Sequence, residues 1–166
     1  MILEMVTSMT LGLAGTGTIG YSESAAYVRE KIRDSFVELQ RPEFYFSILK
    51  KALPALIELR NSVSEANWDG YGAVPVRAEA FARAYAFLEV LPNHLPVPTI
   101  GAEPDGHITF EWYASPHRLL SVSVSPAGDL HYAALIGPNR AHGTEVFYDR
   151  IPDSLIDLVR RVTPNE

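Results

Sequence analysis

Residues His107 to Tyr148 read HITFEWYASPHRLLSVSVSPAGDLHYAALIGPNRAHGTEVFY and carry the clearest structural pattern of the chain. Apolar and polar residues alternate along it, and prolines and glycines interrupt the alternation at short intervals, which is typical of antiparallel strands with one buried face. A slip of one residue would turn every apolar side chain to the wrong face, so the pattern also restricts the register. The stretch therefore predicts a four-stranded antiparallel meander, with a short fifth strand around Thr99 to Ala102.

Three hairpins connect these strands when apolar residues are set opposite apolar residues. The predicted registers place Trp112 opposite Arg118, Ser125 opposite Asp129, Val146 opposite Ala134, and Tyr148 opposite Tyr132. The first hairpin then has a five-residue turn, the second turns at Pro126-Ala127-Gly128, and the third closes residues 137–143 as a loop.

The residues before the meander predict three helices. Ser22 to Leu39 has apolar residues at three- and four-residue steps, and a second helical pattern runs from Glu43 to about Val63. Within the second pattern, Pro54 predicts a kink or a break near Leu53. The third helix runs from Pro75 to Leu91 and is apolar nearly all round, so we expect it on the apolar face of the sheet, beneath the first two helices.

A last helix is predicted over residues 152–162, after the meander. The fold class is then α+β, a four- to five-stranded antiparallel meander with N-terminal helices packed on one face and a C-terminal helix. A flexible, glycine-bearing lead at residues 1–20 precedes a single domain at 21–166, with its helical part at 21–91 and its sheet at 99–148.

Composition limits the classes of function. The 166 residues carry 14 Lys and Arg against 20 Asp and Glu, and a net charge of −6 argues against nucleic-acid binding by phosphate neutralisation. The chain has no cysteine, which excludes thiol catalysis, thiolate metal sites and disulfides. No apolar run approaches the roughly 20 residues of a membrane helix, and the N-terminus lacks the basic start of a secretory signal. We therefore expect a cytoplasmic protein that binds neither nucleic acid nor membrane.

The N-terminal segment from Gly15 to Gly20 reads GTGTIG and matches the glycine pattern of dinucleotide-binding loops. Such a loop needs a strand before it and a crossover to a second parallel strand after it. Helices follow here, and the predicted sheet is antiparallel. We therefore interpret the motif as part of the flexible lead and expect no nucleotide cofactor.

Residues 68–73 read WDGYGA and form the most distinctive loop. Asp69 can accept hydrogen bonds from the backbone amides beyond it, while Trp68 and Tyr71 each offer a large apolar face with a polar tip. One interpretation is a folded corner whose aromatic side chains plug the seam between helices and sheet. The other is a recognition loop, because aromatic residues on loops are frequent binding anchors.

The same loop carries a resemblance to a known group of proteins. The segment NWDGYGAVP at residues 67–75, the alanine-rich helix after it, and the strand segments ITFEW at 108–112 and SVSVSP at 121–126 resemble a family of short, uncharacterised bacterial proteins. The similarity runs from about residue 64 to 162, and the WDGYGA box is its most specific part. The resemblance implies a bacterial origin, and it supplies no catalytic residue.

Further polar residues fall on the second face of the predicted sheet, where the predicted registers set His107, Ser123 and His131 side by side. A serine between two histidines has the parts of a nucleophile and base, and two histidines with a carboxylate have the parts of a metal site. Directly opposed strand residues, however, lie about 5 Å apart by geometry alone. Without a visible oxyanion hole or a His-x-x-x-His spacing, an ordinary polar sheet face is the favoured interpretation, and no metal is expected.

The second face also combines small central residues with an apolar flank, which favours a contact surface. The alternative is that the C-terminal helix covers it within the monomer. The candidate binding residues are Leu119, Ser121, Ser123, His131, Ala133, Leu135 and Phe147 on this face, with Trp68, Asp69 and Tyr71 in the loop.

These features predict a non-catalytic protein-interaction module that binds a protein partner or a second copy of itself. The bacterial resemblance and the small size favour an antidote or accessory member of a toxin-antitoxin or phage-defence pair in a small operon. The alternative is a small hydrolase or metal-dependent enzyme that uses His107, Glu111, Ser123 and His131.

Overall fold

The computed structural model describes residues 48–164. The elements, in chain order, are α1 Ile48–Ser62, α2 Ala78–Val90, β1 Thr99–Ala102, β2 Ile108–Ser115, β3 Arg118–Val124, β4 Asp129–Ile136, β5 Asn139–Val146 and α3 Asp153–Val162. The strands form one sheet in the order β1-β2-β3-β4-β5, and every neighbouring pair is antiparallel. The predicted α+β class, the meander and its short first strand are therefore confirmed.

One face of the sheet carries the core, and all three described helices pack on it. Ile108, Phe110 and Trp112 of β2 are buried there, alternating with half-buried or exposed neighbours. Phe87 of α2 stacks on Phe110 with ring centroids 4.7 Å apart, and Leu155 of α3 joins the apolar contact with Phe87 and Trp112. Each fully buried side chain of this kind contributes roughly 1.5–3 kcal/mol. Because α3 lies on this helix-covered face, the alternative in which it covers the second face is wrong.

The β3–β4 hairpin has the predicted register. Ser125 lies opposite Asp129, whose carbonyl oxygen accepts the Ser125 N–H at 2.9 Å, and Gly128 takes a φ of 100° in the turn. The strands continue through the predicted pairs Val124–Leu130, Val122–Tyr132 and Leu120–Ala134. Proline and glycine mark the turn itself, which is why this register follows from the sequence alone.

The β2–β3 hairpin has the predicted faces but a different register. Trp112 pairs with Leu120, not with Arg118, and the strands continue to a tight turn at residues 116–117. An irregularity after Tyr113 accommodates this turn, as a bulge does in an antiparallel pair. Because the shift is two residues, the same side chains still face the core.

The β4–β5 hairpin is five residues tighter than predicted. Ile136 pairs with Asn139 across the two-residue turn Gly137-Pro138, so that Val146 pairs with Asp129 and not with Ala134. Gly137 has a φ of 61°, and proline is restricted to negative φ, a combination that fits a type II′ hairpin turn. The predicted loop is therefore strand.

Because the register of β5 is shifted by five residues, an odd number, the residues predicted for one face of this strand lie on the other face. Phe147, directly after β5, is 2% exposed on the helix-covered face, with its ring centroid 5.9 Å from that of Phe87. Its predicted place on the second face is wrong. Tyr132 pairs with Gly143, and Tyr148 lies beyond the strand and is exposed.

The helices differ from the prediction mainly at their ends. α1 passes through Pro54 without interruption, so a break near Leu53 is wrong, and the buried residues on both sides of the proline hold the helix against its neighbours. α2 begins at Ala78 and not near Pro75, because Val76 still donates its N–H to a backbone carbonyl of the residues that follow α1. α3 agrees with the predicted last helix.

Three predicted features lie outside residues 48–164: the lead at 1–20 with its glycine motif, the helix from Ser22 to Leu39, and the start of the second helix at Glu43. Within the described residues, no helix has the length and apolar content needed to cross a membrane.

Candidate functional site: the open sheet face

The second face of the sheet, which we call the open face, consists of odd-numbered residues of β2, β3 and β4 and even-numbered residues of β5. Strand pairing arranges them in the rows Thr109–Ser123–His131–Thr144, Glu111–Ser121–Ala133–His142 and Tyr113–Leu119–Leu135–Arg140. All described helices pack on the other face, and Ala133 and His131 remain exposed near its centre. The open face thus has a polar end, a central row with small side chains, and an apolar end.

The polar end is organised around Glu103, which follows β1. The Glu103 N–H donates to the His107 carbonyl at 2.9 Å, which closes the β1–β2 hairpin. Its carboxylate reaches over β2, where Oε1 accepts the hydroxyl of Thr109 at 2.6 Å and the hydroxyl of Ser123. Since two hydroxyl groups donate to one oxygen, the carboxylate is held in place.

Two histidines lie beside this carboxylate. The rings of His107 and His131 are nearly parallel, at an interplanar angle of 8°, with centroids 5.6 Å apart. His131 Nδ1 lies 2.9 Å from Thr144 Oγ1, and His107 Nδ1 lies 3.6 Å from the carboxylate of Asp105. In this way each imidazole has one ring nitrogen beside a partner.

A shallow concavity of about 390 Å³ covers much of the polar end and the central row. Its lining residues are Glu103, Ser121, Ser123, His131, Tyr132, Ala133, His142, Gly143 and Thr144. Glu103, His131 and His142 therefore face the same space. The structure brings together four of the predicted binding residues here: Ser121, Ser123, His131 and Ala133.

The apolar end consists of Tyr113, Leu119 and Leu135. Leu119 pairs with both Tyr113 and Leu135 across neighbouring strands, as the prediction for the two leucines required. Tyr113 is 59% exposed and was not predicted here, because the assumed five-residue turn took it out of the strand. Phe147, predicted for this flank, lies in the core.

The arrangement around Ser123 does not provide a nucleophile with its base. Ser123 is buried and donates to Glu103, and no hydrogen bond found within residues 48–164 joins it to an imidazole. A general base must lie within hydrogen-bond reach of the group it deprotonates. Glu111, the other residue of the enzymatic alternative, lies one row away, beside Ser121.

Sequence reasoning missed Glu103, which organises this cluster. The signal was present in EPDGH at residues 103–107, because a tight Pro-Asp-Gly turn places the residues before and after it, Glu103 and His107, opposite each other. Reading that hairpin would have put a carboxylate beside His107.

The predicted loop at residues 67–73 is a closed unit. Asp69 Oδ1 accepts the N–H groups of Tyr71 at 2.8 Å and Ala73 at 3.0 Å, and Asn67 Oδ1 accepts the Gly72 N–H at 2.7 Å. These backbone donors, Tyr71 first and Ala73 second, hold the pKa of the Asp69 carboxyl below 3.8. The side-chain oxygens of Asp69 and Asn67 are therefore used within the loop itself.

The two aromatic residues of the loop have different surroundings. Trp68 packs against the core and donates its Nε1–H to the Val74 carbonyl at 3.0 Å. Tyr71 is 94% exposed. The geometry gives Trp68 and Asp69 structural roles, which favours the folded corner, and leaves Tyr71 as the residue with a free surface.

Comparison of the chain with protein-family models, with curated proteins and with solved structures finds no match.

Proposed function

We propose that this protein is a non-catalytic interaction module that binds a partner protein on the open face of its sheet. The observation that carries the proposal is that the described helices cover only one face of the sheet. All three pack on the face opposite the open face, while Ala133 and Tyr113 on the open face reach solvent. A solvated face of an antiparallel sheet is usually evenly polar. Here an apolar cluster occupies one end, and exposed apolar clusters mark contact sites.

The chemistry of the face describes the partner. Leu119, Leu135 and Tyr113 suit an apolar surface, and the small side chains of Ser121 and Ala133 allow close approach. The Glu111 carboxylate has no hydrogen bond or ion pair with another residue among 48–164, so a basic side chain of the partner fits opposite it. We therefore expect an amphipathic partner surface, apolar toward one end and basic above β2.

The size of the face indicates a reversible complex. The four longer strands are each about 25 Å long and spaced about 4.8 Å apart, and with the short β1 at the edge the face presents roughly 500 Å². Stable complexes bury about 800 Å² per partner. Binding through this face alone is therefore transient, and small changes at its centre should abolish it.

The biological setting extends the proposal. We propose that the protein acts in the bacterial cytoplasm as the antidote or accessory member of a toxin-antitoxin or phage-defence pair, which rests on the WDGYGA resemblance and on a cysteine-free chain that suits a reducing compartment. Co-expression of the adjoining gene, with growth as readout, tests the setting separately from the surface.

The absence of cysteine makes the surface directly testable, because one introduced cysteine is the only thiol in the chain. Ala133→Cys carries a photo-crosslinker on the open face, and Arg60→Cys carries it on an exposed position of α1. We expect the open-face probe to crosslink one protein in native lysate, and the α1 probe not to do so. The purified captured protein should then bind the unlabelled chain, and Leu135→Glu should weaken that binding at least tenfold.

Four outcomes contradict the proposal. Equal capture by both probes, or unchanged binding of the purified partner to Leu135→Glu, removes the role of the face. Slow thiol modification of Ala133→Cys in the isolated protein, compared with Cys at the exposed turn residue His117, shows that the face is covered within the chain. Crosslinking to a second copy would replace the partner protein with self-association.

A further inference from the structure

We propose that Glu103, His107 and His131 form a binding site for a divalent transition-metal ion, with Zn²⁺ as the reference ion, at the polar end of the open face. The proposal revises the expectation of no metal that His spacing gave. It does not depend on a protein partner.

The candidate ligand residues lie close together. One ligand atom each from Glu103, Asp105 and His107 lies within 4.8 Å of the others, and the His131 ring centroid is 5.6 Å from that of His107. Two imidazoles bound through nitrogen at about 2.0–2.1 Å to one tetrahedral ion have their ring centres about 5 Å apart. The present separation is therefore close to what joint ligation requires. Since parallel rings cannot both point at one ion between them, one imidazole must turn about its χ2 angle on binding.

Each candidate ligand side chain is also held by a neighbouring polar group. Residues that bind metals have their remaining polar atoms oriented by a surrounding set of hydrogen bonds. Glu103 Oε1 accepts two hydroxyl groups, which leaves Oε2 for an ion. His131 Nδ1 lies beside Thr144 Oγ1 and His107 Nδ1 beside the Asp105 carboxylate, which leaves Nε2 of each ring.

The polar groups that hold these ligands have fixed positions in the fold. Thr109, Ser123 and Thr144 belong to β2, β3 and β5 of the one sheet, so the orienting groups sit on a rigid scaffold. Asp105 Oδ1 accepts the backbone N–H of His107 at 3.2 Å within the β1–β2 turn, which places the Asp105 carboxylate next to the His107 ring. The predicted registers already brought the two histidines together across 24 positions of sequence, and the structure adds Glu103 as the carboxylate.

The donor types determine which ion fits. Two imidazole nitrogens and one carboxylate oxygen are typical of sites for Zn²⁺, Fe²⁺ or other first-row divalent ions, while Ca²⁺ and Mg²⁺ prefer sites made of oxygen. Three protein ligands leave a coordination position open. The concavity of about 390 Å³ lies directly beside it and gives water or a partner's side chain access to that position.

Titration of the untagged full-length protein with Zn²⁺ by calorimetry, and with Co²⁺ by visible absorption, tests the site. We expect one equivalent to bind, and Glu103→Gln, His107→Ala and His131→Ala each to lower Zn²⁺ affinity by at least roughly tenfold. His117→Ala, which changes an exposed histidine in the β2–β3 turn, is the matched control and should bind like wild type. Ca²⁺ should not compete.

A measurement on the wild-type protein tests the site without relying on variants that could fold poorly. The chain has five histidines, at 94, 107, 117, 131 and 142, so imidazole nitrogen shifts in nuclear magnetic resonance spectra can be assigned ring by ring. Zn²⁺ should shift the ring nitrogens of His107 and His131 and leave those of His94 and His117 unchanged. Shifts confined to other rings, no binding at submillimolar Zn²⁺, or equal affinity in all variants would overturn the proposal.

Discussion

Asp69 shows how one side chain holds a loop together. Its Oδ1 accepts two backbone N–H groups and its pKa lies below 3.8. The type of residue and the turn that follows it predicted this role. The sequence did not reveal which loop residue would be left without an internal contact, because the difference between half-buried Trp68 and exposed Tyr71 depends on how the loop docks.

We expect Asp69→Asn to lower stability at neutral pH, because a charged acceptor binds backbone N–H groups more strongly than an amide oxygen does. The folded state depresses the pKa of Asp69, so the stabilisation is complete above about 3.8, the unfolded value, and is lost as the pH falls through the lower folded value. Denaturant unfolding of the wild-type and Asp69→Asn proteins at pH 7 and below pH 3 measures this stabilisation. The difference in unfolding free energy should shrink in acid; a constant difference would show that the charge of Asp69 does not contribute.

Gly143 explains why the last hairpin was predicted wrongly. A glycine in a sequence favours a turn, but here it leaves room in β5 for the ring of the paired Tyr132, whose Oη would lie 2.7 Å from a Cβ at this position. Only the partner strand reveals this use of glycine.

We expect Gly143→Ala to cost about 1–3 kcal/mol, as overpacking does, because Tyr132 must move. In a Tyr132→Leu background the same change should cost less, with a coupling of at least about 0.5 kcal/mol between the two sites. Thermal unfolding of the four proteins of this cycle gives the coupling. If the two changes are additive, the ring does not occupy the space above Gly143.

Among the helices and strands, the type of each turn determined whether the register of a hairpin could be predicted from the sequence. The β3–β4 hairpin followed from Pro126 and Gly128, whereas the β2–β3 hairpin contains an irregularity that alternation alone does not show. Helix α1 continues through Pro54 because tertiary contacts outweigh a local preference. Element types and the β3–β4 register were therefore predictable, and the registers of the β2–β3 and β4–β5 hairpins and the start of α2 were not.

Trp68 anchors the loop between α1 and α2 to the core. We expect Trp68→Ala to cost roughly 3 kcal/mol, the lower end for buried aromatic residues, because the ring is only partly buried. Trp68→Phe should cost about 1 kcal/mol, since it keeps the packing but leaves the Val74 carbonyl without its donor. Tyr71→Ala, at a position 94% exposed, is the control and should stay within about 0.5 kcal/mol of wild type. A stable Trp68→Ala that loses only partner binding would make the loop a recognition site.

For the complete fold, the sequence predicted helices packed against a sheet but not which face of the sheet the C-terminal helix covers. The apolar residues of the C-terminal helix showed that it must pack on something, and either face of the sheet would have buried them. The choice depends on three-dimensional fit beside α2, around Phe87 and Trp112, which no local pattern records. This choice leaves the open face without a described helix, and the proposed partner and metal sites both follow from it.

Neighbouring alanines on opposite faces of β4 give the sharpest test of this architecture. Ala133 is exposed on the open face, and Ala134 is 3% exposed on the helix-covered face. We expect Ala133→Arg to leave the unfolding free energy within about 0.5 kcal/mol of wild type, as surface substitutions do, and to abolish partner binding. Ala134→Arg should destabilise the fold by several kcal/mol, because it buries a charge without a partner. Thermal and denaturant unfolding of the full-length variants separate the two results. If Ala133→Arg unfolds the protein as Ala134→Arg does, the chain covers the open face itself, and the face is part of the core instead of a surface for a partner.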